Sequence, residues 1–445
     1  MEKVYLSQLL KGVAIPIEDC LVSSVVVDSR KVEKDSVFLA IRGERVNGED
    51  YAAKAIEAGA CYVLTEHIIE DIPPHKQAIV PNILDASIAL GANYRELFSL
   101  DVIGVTGSVG KTSTKDFVWT ALSPFAKTVR SLGNHNNEIG MPQTIFGFKH
   151  DDRFAILEMG MDDLGDVHKL SCAAKPKYAV ISCIGVSHME KLGSQENILK
   201  AKLEMCDGMD KDGVLVLNGD DKFLSRAEIK NPLNVKYFAI DNKAADVTAK
   251  DIVQEGMYTH FTICDKLHGE VKCTIPGVGN HNVMNALSAY TVVTAMGFDP
   301  AQTAANLKEY VPSGMRGKVV EKDGVTFIED CYNASPDSMR AAVNTVVSLS
   351  KGRKICVFGD MLELGAESHE MHRAVGSYAK EKGVDIMFCF GSEAQYICEG
   401  FDGAQLFETK DELAQHLKNI IKKGDAVIFK ASRGMAFEEI IEKVY

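Results

Sequence analysis

The sequence predicts an α/β protein of three units, the middle one a mostly parallel sheet built around a phosphate-binding turn. Three observations predict it. Short apolar runs rich in β-branched residues alternate with helix-length segments along the 445 residues. That length accommodates roughly three domains at the usual ~150 residues each. Polar, chemistry-bearing clusters recur just after strands, where open parallel sheets place their ligands.

Residues 1–98 read as a small α/β unit able to fold by itself. Strands are expected at 22–27, 36–41 and 61–65, a helix at 51–60, and a second helix at 83–98 after the stretch HKQAIVP. The first strand ends in Asp28-Ser29-Arg30. Ser29 and Arg30 suit recognition of a diphosphate or a uracil ring, and equally suit a solvated strand end.

Residues 99–312 form the middle unit. The run 100–106 is apolar and ends in Thr106-Gly107-Ser108-Val109-Gly110-Lys111-Thr112-Ser113, after which a helix begins at Lys111. Glycines let the backbone wrap an anion, and successive N–H groups at a helix start point at it. Lys111 neutralises terminal phosphates and Thr112 offers a hydroxyl to Mg²⁺. The strict spacing of such loops asks for a glycine at Val105; Gly104 and Gly107 supply the flexibility instead. Further strands at 153–158, 177–183, 213–217 and 234–240 imply a parallel sheet with helices on both faces. Glu158 and His188 follow two of those strands. A carboxylate at a strand tip beside a phosphate loop is placed to complete a Mg²⁺ shell. His188 taken alone is better explained without a ligand.

In 193–204, Ser194 is a natural N-cap, and Glu196 with Lys200 forms an i,i+4 pair. Lys202 points to another face, and by default both lysines are salt-bridged surface groups. Alternating runs between 247 and 275 suggest a small antiparallel excursion. A helix then opens at Gly279 and runs to Met296, carrying Asn282 and Asn285 on one face of its first turn. Their amides suit an adenine edge or helix capping.

Residues 313–445 read as a third α/β unit. A hinge at Gly314-Met315-Arg316-Gly317-Lys318 precedes strands at 318–321, 325–329, 354–358, 385–390 and 426–430. Three of these end in polar clusters: Asp330 to Ser338, Gly359 to Gly365, and Lys430 to Gly434.

The composition narrows the function further. A net charge of −13 argues against a nucleic-acid footprint or an anionic membrane surface. The eleven cysteines are scattered, none with CxxC spacing, as expected of buried thiols in a reducing cytoplasm. No run approaches membrane-spanning length and the first residues carry no secretion signal, so a cytoplasmic location is expected.

Taken together these fragments resemble the ATP-dependent Mur ligases of peptidoglycan precursor synthesis. The likeness runs through DSR at 28–30, TGSVGKTS at 106–113, GNHNNEIGMP at 133–142 and EMGM at 158–161. It continues with SHMEKLGSQENILKAKLE at 187–204, GNHNVMNAL at 279–287, DCYNASPDSM at 330–339, GDMLELG at 359–365 and KASRGM at 430–435. The order and spacing of the set carry the resemblance.

The resemblance implies a small N-terminal α/β domain that binds the UDP substrate. It implies a central ATP-binding domain and a C-terminal Rossmann-like α/β domain contacting dipeptide and nucleotide. Lys111, Glu158, His188 and Lys202 become catalytic, and Gly107 to Ser113 cradle ATP. Thr112 and Glu158 would share one Mg²⁺, with His188 and a carbamoylated Lys202 at a second. Asn282, Asn285, Arg316 and Asp330 would face the nucleotide. Ser29 and Arg30 would hold UDP, Asn136 and Asn137 the muramoyl-peptide, and Tyr332, Asn333 and Ser335 the amine substrate. The absence of DNPR where this chain reads GDMLELG favours the member that adds D-alanyl-D-alanine to UDP-N-acetylmuramoyl-tripeptide through an acyl phosphate. A monomer with no nucleic-acid or membrane partner is expected. Asn47, Ala431 and Phe437 depart from the family pattern, outside the phosphate and metal set. The alternatives are another amide ligase of the same superfamily, including a folylpolyglutamate synthase-like one, and a nucleotide-gated binding protein without catalysis.

Overall fold

The computed structural model describes residues 1–43, 46–229 and 232–445. Among them, three α/β units carry separate sheets. The first has four parallel strands in the order 24–26, 36–39, 60–65, 77–79, with a two-stranded antiparallel pair at 4–5 and 21–22. The middle sheet has nine strands. Its order is 128–130, 154–158, 101–106, 178–181, 214–218, 234–239, 247–255, 258–265 and 269–276. The first seven run parallel, and the last two are joined to them by successive antiparallel pairings. The third sheet runs 318–322, 325–329, 426–430, 354–359, 386–390, 405–407, parallel except for the hairpin at its edge.

Apolar periodicity explains most of this. Val102, Ile103 and Val105 are fully buried in a strand covered on both faces, as a continuous apolar run requires. On one face, Phe117, Val118 and Ala121 of the helix Lys111–Leu122 pack with Val283, Ala286, Leu287 and Tyr290 of Asn280–Ala295. The other face joins the first unit in one core, where Leu6, Leu9, Tyr94 and Phe98 meet Ile145, Phe148 and Leu157. The Tyr94 hydroxyl accepts from Glu2 N–H at 2.8 Å and lies 3.2 Å from the Phe148 carbonyl. The first unit therefore shares its hydrophobic interior with the second in one continuous core.

The antiparallel excursion is larger than expected: three strands of eight or nine residues that extend the middle sheet itself. Two three-residue edge strands, Thr128–Arg130 and Gln405–Phe407, are too short for alternation to reveal. None of the described helices is long and apolar enough to cross a membrane. The third unit docks over the strand tips of the second. Gly365 lies against Glu190, Ser348 Oγ donates to Gln254 Oε1 at 2.6 Å, and Val186 packs into the third unit's core.

Candidate active site

Where the second and third units meet, a cavity of about 1310 Å³ opens over the carboxyl ends of the parallel strands. Its floor is the turn after strand Asp101–Thr106. Ser108 to Ser113 line it, and Lys111 begins the helix whose free N–H groups point inward. Gly107 supports the turn from behind, its carbonyl holding Lys111 Nζ at 2.8 Å. At φ +149° a Cβ on Gly107 would lie 1.9 Å from Ser182 Oγ, whose hydroxyl donates to the Val109 carbonyl at 2.6 Å. Gly107→Ala is therefore expected to weaken ADP binding about 10-fold or more, read by titration calorimetry, because strain of 1–3 kcal/mol falls on the turn itself.

The structure brings Thr112 and Glu158 together. Thr112 Oγ1 donates to Glu158 Oε2 at 2.8 Å, and Asn136 Nδ2 donates to Oε1 at 2.9 Å. Asn136 thus orients the carboxylate, while Asn137 of the same loop lines the cavity. Lys115, absent from the sequence-based set, lies beneath. It is buried, donates to the Ser131 carbonyl at 2.8 Å and sits 3.8 Å from Glu158. Its only sequence signal was its place one turn after Lys111 on the same helix. Burial lowers the pKa of Lys111, and the charge on Glu158 opposes that shift. Glu158 thus favours the charged form of Lys111 against the cost of its burial.

His188 occupies the left-handed region at φ +64°, a costly conformation for a residue with a side chain. Its Nδ1 lies 3.1 Å from Glu363 of the third unit and 3.7 Å from Asp162. Glu363, also left-handed at φ +66°, has its carboxyl held below the usual range by the hydrogen bond to His188. Nothing in sequence spacing indicated this pair, 175 positions apart along the chain.

Lys202 contradicts the expectation of a surface lysine. It is 1% exposed, while Lys200 is exposed and forms no ion pair with Glu196 among the described residues. Burial, then the charge on Lys111, pushes the Lys202 pKa well down, with only the Cys183 thiol opposing. No hydrogen bond or ion pair engages its ammonium among the described residues. It is not among the residues that line the cavity.

The remaining expected residues divide. Asn285 is buried against the turn, accepting from Thr114 Oγ1 at 3.1 Å beside Gly110. Asn282 lines the cavity and donates to the Val278 carbonyl at 2.9 Å. From the third unit, Arg316 lies over the Tyr332 ring at 3.6 Å, so Tyr332 braces an arginine. Asp330 is held by buried Lys430 at 2.7 Å. Asn333 faces the cavity, and its Oδ1 accepts from Ala334 N–H at 2.9 Å. Ser335 lines the same wall, but its hydroxyl caps the helix Pro336–Leu349. Ser29 and Arg30 lie outside the cavity lining. Arg30 is bound to Asp28 at 2.9 Å through an exposed guanidinium.

A phosphate cradle, a Thr–Glu oxygen pair and cationic groups arriving from a second unit suit phosphoryl transfer onto an acid. Comparison with known proteins points the same way. Three family models match in order: a Mur ligase family catalytic domain at 21–94, the Mur ligase middle domain at 105–293, and a Mur ligase glutamate ligase domain at 315–433. The UDP-N-acetylmuramoyl-tripeptide–D-alanyl-D-alanine ligase of Bacillus subtilis (strain 168) is 37% identical, covering 98% of this chain and 96% of its own. That of Escherichia coli (strain K12) is 31% identical over 95% and 94%. Among solved structures, MurF from Acinetobacter baumannii superposes with a TM-score of 0.92 at 28% identity, covering 100% of this chain and 99% of its own. MurF from Thermotoga maritima in complex with ADP gives 0.86 at 27% identity, over 95% and 96%.

Proposed function

This chain belongs to the Mur ligase family, and on that premise we propose that it joins D-alanyl-D-alanine to UDP-N-acetylmuramoyl-tripeptide with ATP. The product is the pentapeptide precursor of peptidoglycan. The observation that carries the reading is the Thr112–Glu158 pair set directly beneath the phosphate turn, with Lys111 beside it.

The three units divide the work: 1–98 holds the UDP end through Ser29 and Arg30, 99–312 holds ATP, and 313–445 holds the dipeptide. Thr112 and Glu158 offer the hard oxygen donors that magnesium selects. A second ion falls to His188 and Lys202, the latter once CO₂ has converted its amine to an anionic carbamate. Buried beside a second cation and without an acceptor, the Lys202 amine is a poor ammonium and a fitting CO₂ acceptor. When bound, magnesium supplies positive charge where carboxylate and phosphate oxygens meet.

The chain's own residues do the rest. The turn's N–H groups fix the β- and γ-phosphates, and Lys111 leaves the Gly107 carbonyl to neutralise them. Asn282 and Asn285 lie along the nucleotide, and Arg316 and Asp330 reach it from the third unit. The substrate carboxylate attacks the γ-phosphorus and ADP departs, leaving an acyl phosphate. The dipeptide amine then displaces phosphate. The GDMLELG loop, tied to the KASRGM loop by Leu362 N–H donating to Ser432 Oγ at 2.9 Å, frames the dipeptide. The enzyme acts as a monomer.

The test is phosphate release from ATP and UDP-N-acetylmuramoyl-tripeptide with a panel of acceptors. D-alanyl-D-alanine is expected to support turnover, and single amino acids are not. A preference for glutamate with a folate, or ATP binding without acceptor-dependent release, would overturn the reading.

A further inference from the structure

Several acidic side chains line the cavity, and almost all are engaged. Glu158 is bound by Thr112 and Asn136, and Asp330 by Lys430. Glu363 and Asp162 face His188, and Asp163 faces Lys191. Asp166 accepts from two backbone N–H groups. Two carboxylates remain without a hydrogen bond or ion pair among the described residues, Glu138 and Asp337. Glu138 belongs to the 133–142 loop of the middle unit. Asp337 comes from the third unit, as the second residue of the helix Pro336–Leu349.

Asp337 reaches the phosphate turn. A Cβ added at Gly185 would lie 3.1 Å from Asp337 Oδ2 and 3.2 Å from Ser108 Cβ, so carboxylate and turn flank one spot. Ser108 is 7% exposed, and its Oγ has no hydrogen-bond partner. A buried hydroxyl without an acceptor is the complement of an anionic oxygen. One side of this spot therefore suits a departing phosphate and the other a positive nitrogen. Of the neighbouring titratable groups, the Cys183 thiol is pushed up by burial and stays protonated, and Lys111 Nζ is held by the Gly107 carbonyl.

We propose that Asp337 receives the ammonium of the incoming dipeptide and takes up the proton its nitrogen sheds during attack. The proposal rests on the ligase reading above. Loss of the first proton to Asp337 frees the nitrogen lone pair, which forms the C–N bond while the carbonyl π pair moves onto oxygen. That pair returns as the C–O bond to phosphate breaks. Of the two protons the ammonium loses, one passes to Asp337 and on to water, and the other leaves with the phosphate as hydrogen phosphate. A free carboxylate carried by the amine-holding unit performs both tasks, attraction and proton acceptance.

Full-length Asp337→Asn tests this with two nucleophiles, the dipeptide and hydroxylamine, which is uncharged at neutral pH. The expected result is a fall of about 100-fold in kcat/KM for D-alanyl-D-alanine, the usual scale for a lost acid–base group. KM for ATP and hydroxamate formation with hydroxylamine should stay near wild type, and Asp337→Glu should recover part of the dipeptide rate. A variant that keeps wild-type dipeptide kinetics would overturn the proposal. So would a parallel loss with both nucleophiles, which marks a merely structural role. Wild-type enzyme that releases no phosphate with the dipeptide would instead overturn the ligase reading, and this inference with it.

Discussion

Lys111→Ala is expected to abolish dipeptide-dependent ADP release, lowering kcat by about 10²–10³ or more, the scale of removing one preorganised electrostatic donor. Attack of a carboxylate on a phosphate brings like charges together, so a fixed cation at the γ-phosphate acts mainly on the transition state. The Lys111 ammonium is already at the mouth of the turn, resting on the Gly107 carbonyl. Its burial is a standing cost that the charge on Glu158 offsets only in part. Truncation removes that cost and leaves only a carbonyl behind, so the variant should remain folded, with an unchanged circular dichroism melt. Near-normal turnover in a folded Lys111→Ala enzyme would sink the phosphate-transfer assignment.

Lys202→Met is expected to be nearly inactive and yet more stable, by about 1 kcal/mol in chemical denaturation, the usual gain when a strained functional group is removed. The amine is 1% exposed, sits beside a second cation and finds no acceptor among the described residues, so an apolar side chain of similar length removes a penalty. Activity depends on the opposite property, an anionic oxygen made from that amine. Lys202→Ala should regain part of its turnover with a short carboxylic acid such as acetate, which brings an anionic oxygen into the vacated space. Lys202→Arg should not, since a guanidinium does not add CO₂ under these conditions. A destabilised Lys202→Met enzyme, or a fully active Lys202→Arg enzyme, would contradict this account.

Much of the site was legible because its chemistry is local. The phosphate turn needs only a strand, two glycines and a lysine within a dozen residues, and each is set by short-range backbone preference. Glu158 was found because a buried parallel strand must end at the sheet's carboxyl edge, where the ligand also lies. The resemblance added Lys202 and His188, which spacing alone did not single out. The missed residues share one trait: their partners are distant in the chain. Lys115 meets Ser131 across a loop of the middle unit, and Glu363 meets His188 and Asp337 meets Gly185 only after the units dock. Tyr332 and Ser335, expected to place the amine substrate, line the cavity, but their nearest partners, an arginine face and a helix start, lie within the protein.

By itself, the sequence determined the three α/β units and a mostly parallel sheet around the phosphate turn. Those features follow from periodicity, turn geometry and residue type, which act over a few residues; the ligase chemistry was legible only through the resemblance of the whole motif set. Only the tertiary structure decided which charges are buried, which carboxylates are already engaged, and that the first unit shares its core with the second. The physical reason is that burial and pairing depend on surfaces brought together from far along the chain.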